Sequence, residues 1–332
     1  MSKKCRTSIQ CSMGPSCDSA EILASMIDAG MDVLRINLSH GSALSQADKY
    51  DTYIKACSKS DSQDVKLMYD LSGPNVRISE LPNELITYRE GDDIIFPAVN
   101  YDNFCNEVTP GTEILVDDGL VRFEVTRVDG RDIHCEVTMG GDVVTHKGVN
   151  VPEIKLGMPF LSDQDREDIL WCIEHKVDYI AASFVRRADD VKELRNFLAD
   201  NGGENIKLVA KIENKEAIEN FEEIASLADQ ILIARGDMGV EIGYEKVPGV
   251  QKKIIKRCNE LGIPVIVATQ MADSMMHRMI PTRAEVSDIY NTVLDGAGGL
   301  MVTGETTLGE HPVEVVIELA KVAYQAEQEM CY

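Results

Sequence analysis

The sequence predicts a parallel α/β fold: a (β/α)8 barrel of the TIM type, with a small all-β lid domain inserted after the third strand. Three observations predict it. Short apolar runs alternate with longer amphipathic stretches eight times along the chain. Nearly every apolar run ends in polar residues, as a ring of catalytic loops at one barrel face requires. One stretch, residues 75–152, breaks the alternation with strands and turns only. A doubly wound open sheet is the rival architecture, and the polar strand ends favour the barrel over it. Residues 1–74 and 153–332 are therefore assigned to the barrel and 75–152 to the insert.

In chain order, the expected barrel strands are Ser8–Ser12, Val33–Asn37, Val65–Asp70, Tyr179–Ser183, Leu208–Glu213, Gln230–Arg235, Val265–Gln270 and Leu300–Thr303. Helical patterns with start and stop signals lie between them. Asp18 followed by Glu21 reads as a capping box, with Ile22, Leu23, Met26 and Ile27 on one face and Gly30 closing the helix. Thr282 with Glu285 repeats the device before Val286, Ile289 and Val293. Gly262 and Pro264 end another helix, and a last one runs over Pro312–Gln328. Within the insert, strands are expected at Asp93–Pro97, Glu113–Val116, Leu120–Arg127 and Ile133–Met139, punctuated by Asp129-Gly130 and Gly140-Gly141. Gly73-Pro74 and Val151-Pro152 read as its hinges, and a lid over the barrel mouth is its natural use. No internal repeat is evident.

Composition narrows the function. A chain of 332 residues suits one barrel plus an insert, and 44% apolar with 27% charged residues is ordinary for a globular protein. The net charge of −23 repels phosphate backbones, which argues against nucleic acid and anionic membrane as partners. An anionic small molecule would need local help from metals and arginines. No signal-peptide core or membrane-length apolar run is visible. Nine cysteines without a CxxC pair read as reduced thiols, consistent with a cytoplasmic location. Cys5, Cys11 and Cys17 recur at six-residue steps, but no histidine follows at ligand spacing.

The chemistry gathers at the strand ends. Glu213 ends LVAKIEN, two residues after Lys211, and Asp237 follows QILIARGD on the next strand, so the two carboxylates can converge. Few hard oxygen ligands suit Mg²⁺ or Mn²⁺, and Lys211 beside them can stabilise negative charge on a phosphoryl group or enolate oxygen. A bare KxE is more often a structural pair; ARGD at the next strand end shifts that balance. Gly236 allows close backbone approach to a ligand carboxylate, and Gly239 is expected just before a helix N-terminus or turn. Thr269, ending ATQM, can relay a proton to an enolate carbon or make an ordinary strand-end hydrogen bond. In RINLSHG, Asn37 and Ser39 are two apart and face the same way, so with Asp70 they can coordinate a hard cation. Ser39 also reads as an N-cap. Arg35 and Arg77 can hold phosphate oxygens, and His40 adds an acid–base candidate.

Taken together, SMGPSCDS, MDVLRINLSHG, YDLSGPNVR, KGVNVP, YIAASFVR, LVAKIEN, ILIARGDMGVEI, PVIVATQM, PTRAEVSDIYNTVLDGA and TGETTLGEHPVE resemble the pyruvate kinase family, in the family's order and over nearly the whole chain. The resemblance implies a barrel with a β lid and phosphoryl transfer from phosphoenolpyruvate to ADP, followed by protonation of enolpyruvate. It implies Mg²⁺ or Mn²⁺ at Glu213 and Asp237, and a monovalent cation, K⁺, at Asn37, Ser39, Asp70 and the Leu71 carbonyl. Lys211, Thr269 and Arg35 are the expected catalytic residues. Arg35, Asn37, His40, Arg77, Gly236 and Asp237 are the expected contacts to substrate and co-substrate, ADP or ATP. A homo-oligomer through the barrel faces is left open.

This chain departs from the family pattern in places. Ser72 and Gln164 stand where lysines near the nucleotide phosphates are usual, and Asn75 stands where a glutamate or lysine distinguishes K⁺ dependence. A short form without the family's C-terminal domain is the expectation. A paralogue using the metal–enolate site on a 2-oxo acid such as oxaloacetate, as a decarboxylase or lyase, is therefore the alternative to a phosphotransferase. A non-catalytic metabolite sensor is the third reading, against which the intact metal ligands argue.

Overall fold

The structure is a computed structural model and describes residues 5–62, 64–152 and 154–330. It divides into two compact units. One holds the chain up to Gly73, Leu161–Arg235 and the chain from Pro248 onward; the other holds Pro74–Phe160 and Gly236–Val247.

The first unit is a closed barrel of eight parallel strands: β1 (Ser8–Ser12), β2 (Val33–Asn37), β3 (Lys66–Asp70), β4 (Tyr179–Ala182), β5 (Lys207–Ile212), β6 (Gln230–Ala234), β7 (Val265–Ala268) and β8 (Gly299–Val302). β1 pairs with β8 to close it. All eight expected strands form. Several stop one or two residues before the expected polar end because the backbone leaves the sheet there, and Phe184, Thr269 and Gln270 then take positive φ.

Alternation along the strands sorts the interior. Val33, Met68, Ala181, Val209, Leu232, Ala234, Ile266, Ala268 and Met301 form a buried apolar cluster inside the barrel. Two residues after four of these, on the same face, come Arg35, Asp70, Ser183 and Lys211, so a polar layer sits directly above the apolar one.

The opposite ends of the strands carry a repeated latch. Asp32 before β2 accepts the Ile9 N–H at 2.9 Å, Asp178 before β4 accepts that of Leu67 at 2.9 Å, and Asp229 before β6 accepts that of Leu208 at 2.7 Å. Before β8 the position is Gly298, whose own N–H donates to the Val265 carbonyl at 2.8 Å. The repeat lives in one residue per strand pair, too sparse to register as an internal repeat in the sequence.

The helix starts follow capping chemistry, with one change from expectation. Thr282 and Glu285 form the expected box. The first helix, Ala20–Ala29, is capped by Ser19, whose hydroxyl accepts the Ile22 N–H at 3.2 Å; Asp18 instead closes the short 3-10 turn Pro15–Cys17. Glu21 pairs with Lys59 across to the next helix. Gly30 ends the first helix at φ 119°, the left-handed conformation glycine adopts without steric cost. The last helix, Pro312–Glu329, holds the chain start: buried Glu327 accepts the N–H groups of Arg6 and Thr7 and the Thr7 hydroxyl, all on one oxygen at 2.7–2.8 Å.

The second unit is built on two antiparallel sheets. One runs in the order Val149–Asn150, Glu113–Val116, Val121–Asp129, Asp132–Met139, Asp93–Ile95; the other pairs Leu85–Tyr88 with Gly141–Val144. The three strands Leu85–Tyr88, Gly141–Val144 and Val149–Asn150 are additions to the expected set. Gly130 turns the central hairpin at φ 62°. Gly140 is required by close packing, since a Cβ there would meet the Tyr88 carbonyl oxygen at 2.7 Å. Phe96, Phe104, Phe123 and Tyr88 interlock edge-on or tilted at the centre of its core.

Candidate active site

Four buried charged residues meet in the polar layer at the C-terminal ends of β2 to β5: Arg35, Asp70, Lys211 and Glu213. Arg35 Nε donates to Asp70 Oδ2 at 2.6 Å, and its Nη1 donates to Ser12 Oγ at 2.7 Å. Ser183 Oγ donates to Asp70 Oδ1 at 2.9 Å and accepts from Lys211 Nζ at 2.8 Å. Lys211 Nζ also lies 3.3 Å from Asp70 Oδ1 and 2.8 Å from Glu213 Oε1. Two cations thus balance two carboxylates. Isolated charges at this depth would cost several kcal/mol each, so the four are mutually dependent. Burial alone would raise the Asp70 carboxyl pKa, but the ammonium of Lys211 and the guanidinium of Arg35 hold it below the ordinary carboxylate value.

Ser183 is the residue of this cluster that the sequence reading did not single out. Its signal was present, as the polar residue that follows the run YIAA in step with the inward face of β4. Phe184 next to it has φ 54° and donates its N–H to Glu213 Oε2 at 2.5 Å, fixing that carboxylate from the opposite side. Gly73 comes so close to Ser183 that an added Cβ would lie 2.6 Å from the Ser183 carbonyl oxygen.

The segment after β2 differs from its expected geometry. The strand ends at Asn37, and a 3-10 turn, Leu38–His40, follows, so two-residue alternation does not extend to Ser39. Asn37 Oδ1 accepts the Ser39 N–H at 3.1 Å. Asn37 and Asp70 are register partners on β2 and β3. Leu71 is buried, with its N–H donating to the Ala181 carbonyl, and Ser72 Oγ donates to the Leu38 carbonyl at 2.9 Å. His40 is exposed. Gln164 lies in the first turn of the helix Asp163–Glu174 and donates to Asp168 Oδ1 at 3.3 Å.

Thr269 follows β7 at φ 72°, and its hydroxyl donates to the Ala268 carbonyl at 2.7 Å. Gly236 and Asp237 lie in the first turn of the helix Arg235–Ile242, which begins where β6 ends. Gly239 lies inside this helix rather than ahead of one. Gly236, Asp237 and Arg77 group with the second unit. Within it, burial lowers the pKa of half-buried Arg77, and the negative charge of Asp237 acts against that shift.

The donor chemistry suits hard cations. Glu213 offers a fully buried carboxylate, and Asn37, Asp70 and Leu71 offer amide, carboxylate and carbonyl oxygens on neighbouring strand ends. Among the described residues no three His, Cys, Asp or Glu side chains converge, so a divalent ion would draw the rest of its shell from substrate and water. No helix of the described residues is long and apolar enough to cross a membrane.

Comparison with known proteins shows which family the sequence matches. The family model described as pyruvate kinase, barrel domain, matches residues 4–316. A pyruvate kinase of Clostridium perfringens is 40% identical over 339 residues, covering 98% of this chain and 71% of that protein. Those of Sporosarcina psychrophila and Geobacillus stearothermophilus are each 41% identical, covering 98% of this chain but 58% and 57% of their own lengths. This chain therefore spans somewhat more than half of most of these relatives.

Proposed function

The chain belongs to the pyruvate kinase family, and on that premise we propose that it transfers the phosphoryl group of phosphoenolpyruvate to ADP, giving pyruvate and ATP. A terminal oxygen of ADP attacks phosphorus, the bond from phosphorus to the bridging oxygen breaks, and its electron pair goes to the enolate oxygen. The C3 carbon of that enolate then takes a proton. The observation that carries the reading is Lys211, a buried ammonium held by Ser183, Asp70 and Glu213 in the polar layer of the barrel.

Lys211 is assigned to the transferring phosphoryl group and the enolate oxygen, where a fixed positive charge in a water-poor site lowers the energy of developing negative charge. Arg35 and Arg77 are assigned to phosphate oxygens, and Thr269 to the proton delivered at C3. Arg35 already turns its Nε and Nη1 to Asp70 and Ser12, which fixes the plane of the guanidinium before substrate arrives. Glu213 and Asp237 are assigned to Mg²⁺ or Mn²⁺. Asn37, Ser39, Asp70 and the Leu71 carbonyl are assigned to K⁺. The divalent ion, when bound, supplies positive charge for the phosphate oxygens of donor and acceptor. Residues 75–152 are taken as a separate lid domain, and a cytoplasmic location and self-association through barrel faces complete the proposal.

Pyruvate release tests it, measured with phosphoenolpyruvate and Mg²⁺, with and without ADP and K⁺, beside a parallel reaction with oxaloacetate. Pyruvate that appears only with phosphoenolpyruvate and ADP together supports the reading. Nucleotide-independent pyruvate from oxaloacetate, with phosphoenolpyruvate untouched, would sink it.

A further inference from the structure

Two consecutive residues at the end of β7, Thr269 at φ 72° and Gln270 at φ 53°, sit in the left-handed region that favours glycine. Such residues are strained and persist only where their surroundings hold them. One side chain from the neighbouring strand end reaches both of their carbonyls. Arg235 directly follows β6, whose Ala234 is the register partner of Ala268 on β7. Arg235 Nε and Nη2 donate to the Thr269 carbonyl at 3.1 and 2.7 Å, and Nη2 also donates to the Gln270 carbonyl at 3.1 Å. The same nitrogen lies 3.1 Å from the Met271 sulfur. On its far side Nη1 donates to Asp288 Oδ2 at 2.7 Å, which ties the guanidinium to the helix Arg283–Leu294. The Arg235 side chain is 13% exposed, so water competes little for these bonds.

We propose that Arg235 is a positioning residue for the proton-transfer half of the reaction. Its planar fork fixes the left-handed turn at 269–270 and so fixes where Thr269 stands. Lysine cannot replace it, because a single ammonium cannot span two successive carbonyls and Asp288 in one plane. This inference rests on the function proposed above, in which Thr269 serves proton delivery at C3. It adds that the strained turn is under the control of Arg235 and Asp288, neither of which needs to touch the substrate.

The test uses the full chain and two readouts. In a crystal structure of Arg235→Met, Thr269, Gln270 or both are expected to leave positive φ; retention of both would overturn the proposal whatever the reaction proves to be. The second readout is exchange of the C3 hydrogens of pyruvate with heavy water, followed by proton NMR beside the steady-state reaction. Arg235→Met is expected to slow exchange about 100-fold, as a displacement of about 1 Å can do, while the KM for phosphoenolpyruvate stays within about threefold. Adding Gln270→Gly, which removes the steric cost of the left-handed turn, is expected to restore part of the exchange. Should Arg235→Met not fold, Asp288→Asn keeps the arginine, weakens its anchor and is expected to slow exchange in the same direction. Exchange that is unaffected in these variants, or lost only in proportion to substrate binding, would overturn the positioning role. A wild-type chain that exchanges no hydrogen would count against the proposed reaction, and the backbone readout would still decide the role of Arg235.

Discussion

Lys211 occupies the point where the barrel's buried charges converge, and its neighbours make its removal doubly costly. Lys211→Met should abolish pyruvate formation. It should also destabilise the fold by about 3 kcal/mol, because Asp70 and Glu213 lose a cation at 3.3 and 2.8 Å without leaving the interior. Adding Glu213→Gln should recover part of that stability in urea unfolding, since the two residues share one interaction. Strict additivity of the two substitutions would argue against a coupled cluster. A second residue-scale prediction concerns Gln164, which stands where the family usually has a lysine and donates to Asp168. Gln164→Lys should lower the KM for ADP by about tenfold, equivalent to about 1.4 kcal/mol. An unchanged KM would mean that the missing charge does not limit nucleotide use. Most of this cluster was legible in the sequence because period-two alternation carries Arg35, Asp70 and Lys211 inward from apolar residues two positions earlier. Ser183 obeys the same rule, but a lone serine after an apolar run is usually an ordinary strand end and does not announce itself. The left-handed residues 184, 269 and 270 left no mark at all, because nothing in Phe, Thr or Gln announces a positive φ.

Elements are legible in the sequence where the physics is local and less so where tertiary packing chooses. Eight barrel strands announce themselves as apolar runs of buried parallel sheet. By contrast, Val149–Asn150 has only two residues and Leu85–Tyr88 is largely exposed, so neither stands out from turns. Asp18 and Ser19 are both good caps, and only the true start at Ala20 decides for Ser19. The cap at Thr282 was unambiguous, and its partner Glu285 predicts a pH effect. Burial would raise the Glu285 pKa, but the N–H and O–H groups of Ser274 and Thr282 more than offset this and hold it below the ordinary 4.5. A carboxyl whose folded pKa is depressed contributes stability that is fully present above its unfolded pKa and lost as pH falls through the folded value. The stability advantage of the wild-type chain over Glu285→Gln should therefore be constant near neutral pH and shrink below about pH 4.5. Urea midpoints measured across that range check it, and a difference that does not change on acidification would contradict it.

At the scale of the whole molecule, closure of the barrel depends on residues far apart in sequence. β1 meets β8, and Glu327 in the last helix receives the backbone of Arg6 and Thr7 some 320 residues away. Glu327→Ala leaves those donors without a buried acceptor and should cost about 3 kcal/mol. Hydrogen exchange should locate the loss at the Thr7 amide; uniform exchange unchanged from wild type would refute it. A chain with a net charge of −23 is also an unwelcoming host for phosphate esters. The polar layer answers with local rather than global charge, pairing Arg35 with Asp70 on the next strand and Lys211 with both Asp70 and Glu213.

The proposed reaction has this barrel move a phosphoryl group rather than merely handle an enolate. Phosphorus NMR of the full chain with phosphoenolpyruvate, ADP, Mg²⁺ and K⁺ tests it most directly. The prediction is that the phosphoenolpyruvate resonance falls while the γ-phosphate resonance of ATP grows in equal amount. A phosphoenolpyruvate signal that persists, under conditions where the same protein turns oxaloacetate into pyruvate without nucleotide, would contradict it.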